Sequence, residues 1–402
     1  MSIADVAIVG AGPYGLSIAA YLRERGLRVR VFGRPMNTWL EHMPKGMCLK
    51  SEGFASALYD PHGELTLKKF CRDAGIEYAD VGVPVALDTF SAYGLAFAKA
   101  FVPDLDEREV ARVSRAPSGG FDLLLDDGET VQAARLIVAV GISHFEYVPS
   151  ELSALPADLL VHSSRDRDYS YLKGKSVAVV GAGASAVDVA VALHEAGAAP
   201  ELVARTSRLA FHEPPVLKRS IFSRIRYPRT GLGCGLKSRF FTDMPDAFSL
   251  LPPALRSRAV ATQLGPAPCW FTKERFVRNV RTHLGVSIER SEVRDGRVAL
   301  HLRDKDGASS ELVVDHAIAA TGYRVDLTRL RFLSDDLRAS IRVFANAPVL
   351  TRNFESSLSG LFFVGLSAAN TFGPLLRFAY GARFAATRLR SHLSRNGQLA
   401  NG

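Results

Sequence analysis

The chain has four cysteines, and no two are spaced to work together. Cys48, Cys71, Cys234 and Cys269 form neither a CxxC nor a CxxxxC pair. That excludes a redox dithiol of neighbouring cysteines and a thiolate metal site of the usual spacing. The ten His are scattered, so no metal is expected. No basic segment leads into an apolar core at the N-terminus, where Asp5 interrupts. A signal peptide is therefore not expected, and a cytoplasmic location is. The longest apolar stretch, around 176–193, holds glycines and Asp188, which excludes a membrane span. Nucleic-acid motifs are missing too, although the net charge is +9 and basic residues crowd 203–241. We read that excess as serving a phosphate-bearing cofactor plus a solvated face, with no nucleic-acid partner.

What is present is a short phrase written twice. Residues 6–15 read VAIVGAGPYG and residues 177–186 read VAVVGAGASA. Each is an apolar run that breaks into a glycine loop and opens an amphipathic stretch ending in Gly26 or Gly197. In the first copy Val6, Ile8 and Val9 read as a buried parallel strand. Gly10 makes the tight turn, Gly12 leaves room for a pyrophosphate, and Gly15 lets the helix pack on the strand. The helix N-terminus after Pro13 and Tyr14 offers free N–H groups to phosphate. The second copy repeats this with Gly181, Gly183, Ala184 and Ser185, and Ala186 stands where the third glycine would be. The plain alternative for either copy is a glycine turn without a ligand. Two copies in one chain point to two dinucleotide sites and electron movement between them.

The 402 residues are 47% apolar and 23% charged, enough for two or three globular domains. Residues 110–141 read as a β-meander whose last strand returns to the first sheet. Residues 160–205 are the second nucleotide unit. Residues 206–270 are rich in Pro, Arg and Phe without a strand pattern, which suggests a helical insertion or lid. FTKERFVRNVRTHLG reads as one helix, 286–320 as a second meander, and GLFFV at 360–364 as a last buried strand. A long helix is expected at 374–393, and the final six residues are expected to fray. The fold class is α/β, with two Rossmann-like domains, the second inserted in the first. The boundaries fall at 1–150, 151–318 (insertion at 206–280) and 319–402.

GAGPYG, NTW at 37–39, GAGASA, ATGY at 320–323 and GLFFVG at 360–365 follow in an order that resembles the two-dinucleotide-domain flavoprotein monooxygenases. That group includes flavin-containing monooxygenases and N-hydroxylases. The resemblance spans nearly the whole chain. It implies FAD at the first loop, with Thr38, Trp39 and Gly365 among its contacts, NADPH at the second, and Thr321–Gly322 on the linker between domains. Three departures stand out. RVRVFGRP gives Gly33 and Arg34 where the group carries a ribose-binding Glu. The FxGxxxHxxx fingerprint keeps only His162. Ala186 replaces the last glycine.

The choice of NADPH also has a chemical argument. PELVARTSRL ends in Arg205, Ser207 and Arg208, with no carboxylate for a ribose hydroxyl, and arginine suits a 2′-phosphate. Around Asn370 and Phe372, backbone N–H groups at the head of the expected helix would steady negative charge on reduced flavin. The resemblance implies a monooxygenase: NADPH reduces FAD, O2 yields a flavin C4a-(hydro)peroxide, and one oxygen atom passes to a small organic substrate. No catalytic acid or base is identified. A flavin oxidoreductase or oxidase without substrate oxygenation, and a non-enzymatic dinucleotide-binding regulator, remain the alternatives.

Overall fold

A computed structural model describes residues 3–262 and 266–398. Each glycine loop leaves the middle of its own parallel sheet. The first sheet runs in the order Leu361–Phe363, Leu136–Val138, Val6–Val9, Val29–Phe32. All its pairings are parallel, with Val6 beside Val29 and Ala7 beside Leu136. These strands are buried almost throughout, as continuous apolar runs must be when helices cover both faces. The second sheet runs Arg281–Leu284, Ala199–Ala204, Ser176–Val180, His316–Ala319, Leu160–His162, again all parallel.

The two expected meanders are present. Val110–Arg115, Phe121–Leu125 and Thr130–Ala133 form one antiparallel sheet. Phe121, Leu123 and Leu125 point inward, while Asp122 and Leu124 are less buried, the period of two that marked the segment. Ser287–Arg294, Arg297–Arg303 and Ser309–Val314 form the other.

Two expectations need correction, and a third is met by described structure at only two of its six residues. The segment read as one long helix from Phe271 is a helix only over Trp270–Asn279. Arg281–Leu284 then pairs as an edge strand with Ala199–Ala204. An edge strand tolerates polar residues because one side stays in water, so RTHL gave no apolar signal. The long helix expected from Pro374 begins at Ala382 and runs to Gln398. Pro374–Arg377 and Ala379–Gly381 are separate 3₁₀ turns, broken by extended Phe378. The fraying expected of the final six residues meets a helix through Gln398, and residues 399–402 lie outside the described residues.

The insertion is mainly helical. It holds Ile221–Arg226, Leu236–Asp243, Pro245–Ser249 and Pro253–Thr262, plus a two-residue strand pair at 229–230 and 233–234. It touches the C-terminal segment where Gly231 lies against the Tyr380 ring, so close that a methyl group at 231 would collide with it. The chain passes between the two sheets twice, and the passages bond to each other. Tyr147 N donates to Gly322 O at 2.9 Å, and Arg324 N to Phe145 O at 2.8 Å.

Candidate functional site

Backbone geometry makes the two glycine loops alike. Gly10 has φ +112°, and a Cβ there would run into the Ala139 carbonyl of the neighbouring strand. Gly181 has φ +148°, and its Cβ would meet the Ala320 carbonyl. Both positions therefore demand glycine for conformation and for space. Gly12 and Gly183 are different. Each is the extended N-cap of its helix, at φ −87° and −85°, with nothing within 4 Å of an added Cβ. The space in front of both N-caps is a cradle that a side chain would fill. The helices Pro13–Arg23 and Ala184–Glu195 begin there without a side-chain cap, so their first N–H groups face it. This is the fit required of two dinucleotide pyrophosphates.

Third positions separate the copies. A Cβ at Gly15 would strike the Gly10 carbonyl, whereas Ala186 occupies the equivalent place, its methyl 3.3 Å from where a Gly181 Cβ would lie. The first loop is also bolted down. Tyr14 Oη donates to Leu376 O (3.1 Å) and Phe378 O (2.9 Å), and its ring lies against Gly365. Desolvation pushes the Tyr14 phenol well above its ordinary range. These bonds hold the 374–378 turns out of helical form and bring Gly365 to the first loop. Over the second loop, Ala184 N donates to Pro266 O at 3.2 Å, so the end of the insertion already takes one of the helix's free N–H groups.

Met36 N donates to Ala11 O (3.0 Å), which draws the Asn37–Glu41 helix to the first loop. Thr38 stands beside Gly141 at the end of the third strand, and Trp39 packs edge-on to Phe90 at 4.8 Å. Arg34 follows the second strand, exposed and without a side-chain hydrogen bond among the described residues. The acid near that strand end is Asp106, whose backbone bridges to Phe32 and Gly33. Its carboxylate is held by Arg108 and Arg30, and chiefly Arg108 keeps it down at about 2. Its position in a loop 74 residues downstream hid it from motif reading.

Arg205, Ser207 and Arg208 follow the strand Ala199–Ala204, all exposed. Neither arginine has an ion-pair partner among the described residues, so both remain open to an anion. Thr321 and Gly322 follow Ala320, the residue that walls the second loop. Thr321 Oγ1 donates to Tyr147 O, and His162 Nε2 lies 3.1 Å from Gly322 O. The surviving His162 is thus a linker brace, bonded also to Ser164, which in turn donates to Glu146. Burial lowers its pKa, with Glu146 partly opposing. Asn370 and Phe372 lie in the short helix Ala369–Phe372, not at the head of the expected long one. The Phe372 ring is fully buried against Phe354 (4.3 Å) and Phe384, so its side chain serves the core.

Sequence reading missed one buried pair. Lys50 Nζ lies 2.6 Å from Asp188 Oδ2, both side chains under a tenth exposed. It ties loop 42–51 to the second Rossmann helix. Burial pushes the Asp188 carboxyl up, and Lys50 offsets part of that cost. Nothing local marks two residues 138 positions apart as partners. Another cluster, Glu292, His301 and Glu311, resembles a ligand set, but Arg290 and Arg294 occupy its carboxylates. All four cysteines are free thiols.

Comparison with known proteins agrees with this geometry. Residues 4–221 match the family model for pyridine nucleotide-disulphide oxidoreductases. Indole-3-pyruvate monooxygenase YUCCA1 of Oryza sativa subsp. japonica is 30% identical over 207 residues, 50% of this chain and 47% of that protein. A ferredoxin–NADP reductase of Saccharopolyspora erythraea is 30% identical over 213 residues, 52% of this chain and 56% of that protein. The chain spans about half the length of the curated relatives it matches. Among solved structures, the ornithine N-hydroxylase of Kutzneria sp. 744 superposes with a TM-score of 0.78 at 15% identity, covering 98% of this chain and 100% of that one. At that identity the likeness is one of fold.

Proposed function

The chain belongs to the pyridine nucleotide-disulphide oxidoreductase family, and from that premise we propose an FAD-dependent, NADPH-using monooxygenase. It places one oxygen atom of O2 in a small organic substrate. The observation that carries this reading is the pair of open N-caps, Gly12 and Gly183, in a chain without a neighbouring cysteine pair. The monooxygenase relative, alike over half the chain, supports it. We assign residues 1–150 and 319–402 to FAD and residues 151–318 to NADPH, with the insertion covering the site.

When bound, the two groups supply hydride transfer and oxygen activation. The chain's part is to bind, orient and exclude water. Gly10, Gly12, Pro13, Tyr14 and Gly15 receive the FAD pyrophosphate at a helix N-terminus. Arg34, Thr38, Trp39, Gly365, Asn370 and the Phe372 backbone border the rest of that cofactor. Gly181, Gly183, Ala184 and Ser185 receive the NADPH pyrophosphate. Arg205, Ser207 and Arg208 hold the 2′-phosphate, since two unpaired arginines present a fork of donors to it. Thr321 and Gly322 fix the linker between the two cofactors. No described helix is long and apolar enough to cross a membrane. Four free thiols fit the reducing cytoplasm, where we place the protein.

The test is NADPH oxidation by the purified yellow protein under labelled dioxygen, with mass spectrometry across small amines, sulfides and ketones. One labelled oxygen atom in a product is the expected result. Complete release of hydrogen peroxide with every substrate, together with reduction of an iron–sulfur carrier, would move the assignment to a reductase. Absence of NADPH oxidation would leave a dinucleotide-binding regulator.

A further inference from the structure

Residues 214–242 hold seven Lys or Arg and not one Asp or Glu. The flanking acids are already engaged: Glu213 by Lys273 (3.4 Å), Asp243 by Arg239 (3.5 Å) and Asp246 by Arg388 (2.6 Å). Lys218, Arg224, Arg226 and Lys237 have no ion-pair partner among the described residues. The same stretch concentrates exposed apolar side chains. Of the 21 large hydrophobic side chains exposed among the described residues, seven fall within 216–236. Scattered exposed hydrophobics are ordinary, but a cluster of this density marks a contact surface. Phe222 is 85% exposed, and Ile221, Ile225, Leu217 and Val216 are 66–73% exposed.

The segment is nonetheless built. Ser220 caps the helix Ile221–Arg226 by accepting from Ser223 N, and Arg219 clasps the carbonyls of Ser223 and Tyr227. Arg229 bonds Val216 O at 3.0 Å. On that short helix Ile221 and Ile225 lie one turn apart on one face and Phe222 adjoins them, while Arg224 and Arg226 flank them.

We propose that residues 214–242 dock this protein on an anionic lipid surface, with Ile221, Phe222 and Ile225 entering the headgroup region and the surrounding Lys and Arg pairing with lipid phosphates. The charge decides the occupant. A second copy would set one largely uncompensated cationic face against another, which repels. Nucleic acid gains from stacked aromatics, and the protruding residues are mainly aliphatic. Protruding aliphatic side chains ringed by long cations fit a bilayer boundary, where cations reach phosphates while their stems stay in the apolar zone. With no described helix able to cross a membrane, this is attachment to the surface.

Flotation of the full chain, as purified, with vesicles tests it. Equimolar phosphatidylglycerol and phosphatidylcholine is the anionic case, and phosphatidylcholine alone the neutral one. Binding is expected only to the anionic vesicles, weakening as salt rises. Replacing Ile221, Phe222 and Ile225 together by Ser should lower partitioning at least about tenfold. Replacing Lys218, Arg224, Arg226 and Lys237 by Gln should do the same. Flavin content and Tm should hold in both variants, since every altered side chain is exposed. Phe222→Trp keeps the apolar anchor, so it should still bind and its emission should shift to the blue on vesicles.

No binding to anionic vesicles at low salt overturns the proposal. So does binding that survives the Ser variant and is lost only in the Gln variant, which would assign the face to an acidic macromolecule. A light-scattering mass that falls from dimer to monomer in the Ser variant would assign it to a second copy. None of these outcomes bears on the glycine loops, so this inference and the proposed activity fail separately.

Discussion

The two glycine loops share their first half and differ in their second, in how firmly the rest of the fold holds them. In both, the strand ends in a glycine walled by a neighbouring carbonyl, and the helix starts at an open, extended glycine. The first loop is then closed from behind. Gly15 fits against the Gly10 carbonyl, and Tyr14 bolts the loop to the turns at 374–378. The second remains open. Gly183 and Ser185 are exposed, Ala186 stands where the first loop has Gly15, and the Pro266 carbonyl is the contact that reaches the helix start among the described residues. A closed loop suits a cofactor that stays. An open one suits a cofactor that exchanges each turnover. That is the division of labour proposed for FAD and NADPH.

The largest expected effect breaks the symmetry outright. A Cβ at Gly12 has nothing within 4 Å, so the fold should hold in Gly12→Val while the cradle is filled. Colourless, folded protein is expected, read by absorbance and circular dichroism. Gly183→Val should instead stay yellow and lose NADPH-dependent reduction. Yellow Gly12→Val protein with full flavin would refute the assignment of the first loop.

Next come the third positions. Gly15→Ala pushes a methyl into backbone, a collision that cannot relax by rotating a side chain, so chemical denaturation should show a loss of about 2–4 kcal/mol. Ala186→Gly should cost only about 1 kcal/mol, through the poorer helix propensity of glycine. Equal losses would mean that the two loops pack alike.

Arg205→Ala with Arg208→Ala tests the proposal that the second loop takes NADPH. Loss of charge-assisted contacts of roughly 1.5–3 kcal/mol should raise the NADPH KM about 10–100-fold, with NADH little changed. A matching rise for both cofactors would remove the 2′-phosphate from the argument.

A smaller effect on the first unit concerns Asp106, which stands beside its second strand. Asp106→Asn should lower stability by about 1–2 kcal/mol at neutral pH by leaving Arg30 without a carboxylate partner and Arg108 with only Asp127 and Glu129. Because the folded carboxyl sits at about 2, below its unfolded value, its contribution is present above roughly pH 4 and fades as pH falls from there towards 2. Wild type and variant should therefore converge in acid and diverge near neutrality, as read by denaturation at several pH values.

Some elements were legible and others were not, for physical reasons. Val6–Val9 and Ser176–Val180 announced themselves because strands buried on both faces must be apolar throughout. The first meander showed its period of two at Phe121–Leu125. Arg281–Leu284 hid because an edge strand can be polar. The false helix at 374–381 followed an apolar pattern that is real, but the Tyr14 hydroxyl, more than 360 residues earlier, takes the carbonyls a helix would have used. The Phe372 ring packs in the core, which position along the chain does not announce, and only its backbone is left for the cofactor proposed there.

Local chemistry by itself determined the two strand–loop–helix units, the glycines they need, the arginines after the second unit and the acid-free basic stretch at 214–242. Each depends on residues within a few positions of one another, where backbone geometry and side-chain size set the outcome. Only tertiary structure decided that Tyr14 closes the first loop, that Pro266 covers the second, that Lys50 meets Asp188, and that seven hydrophobic residues of 216–236 are left in water. Those contacts join segments far apart in the chain. Which of them form depends on how two sheets and an insertion share the available buried volume, and no local pattern records that.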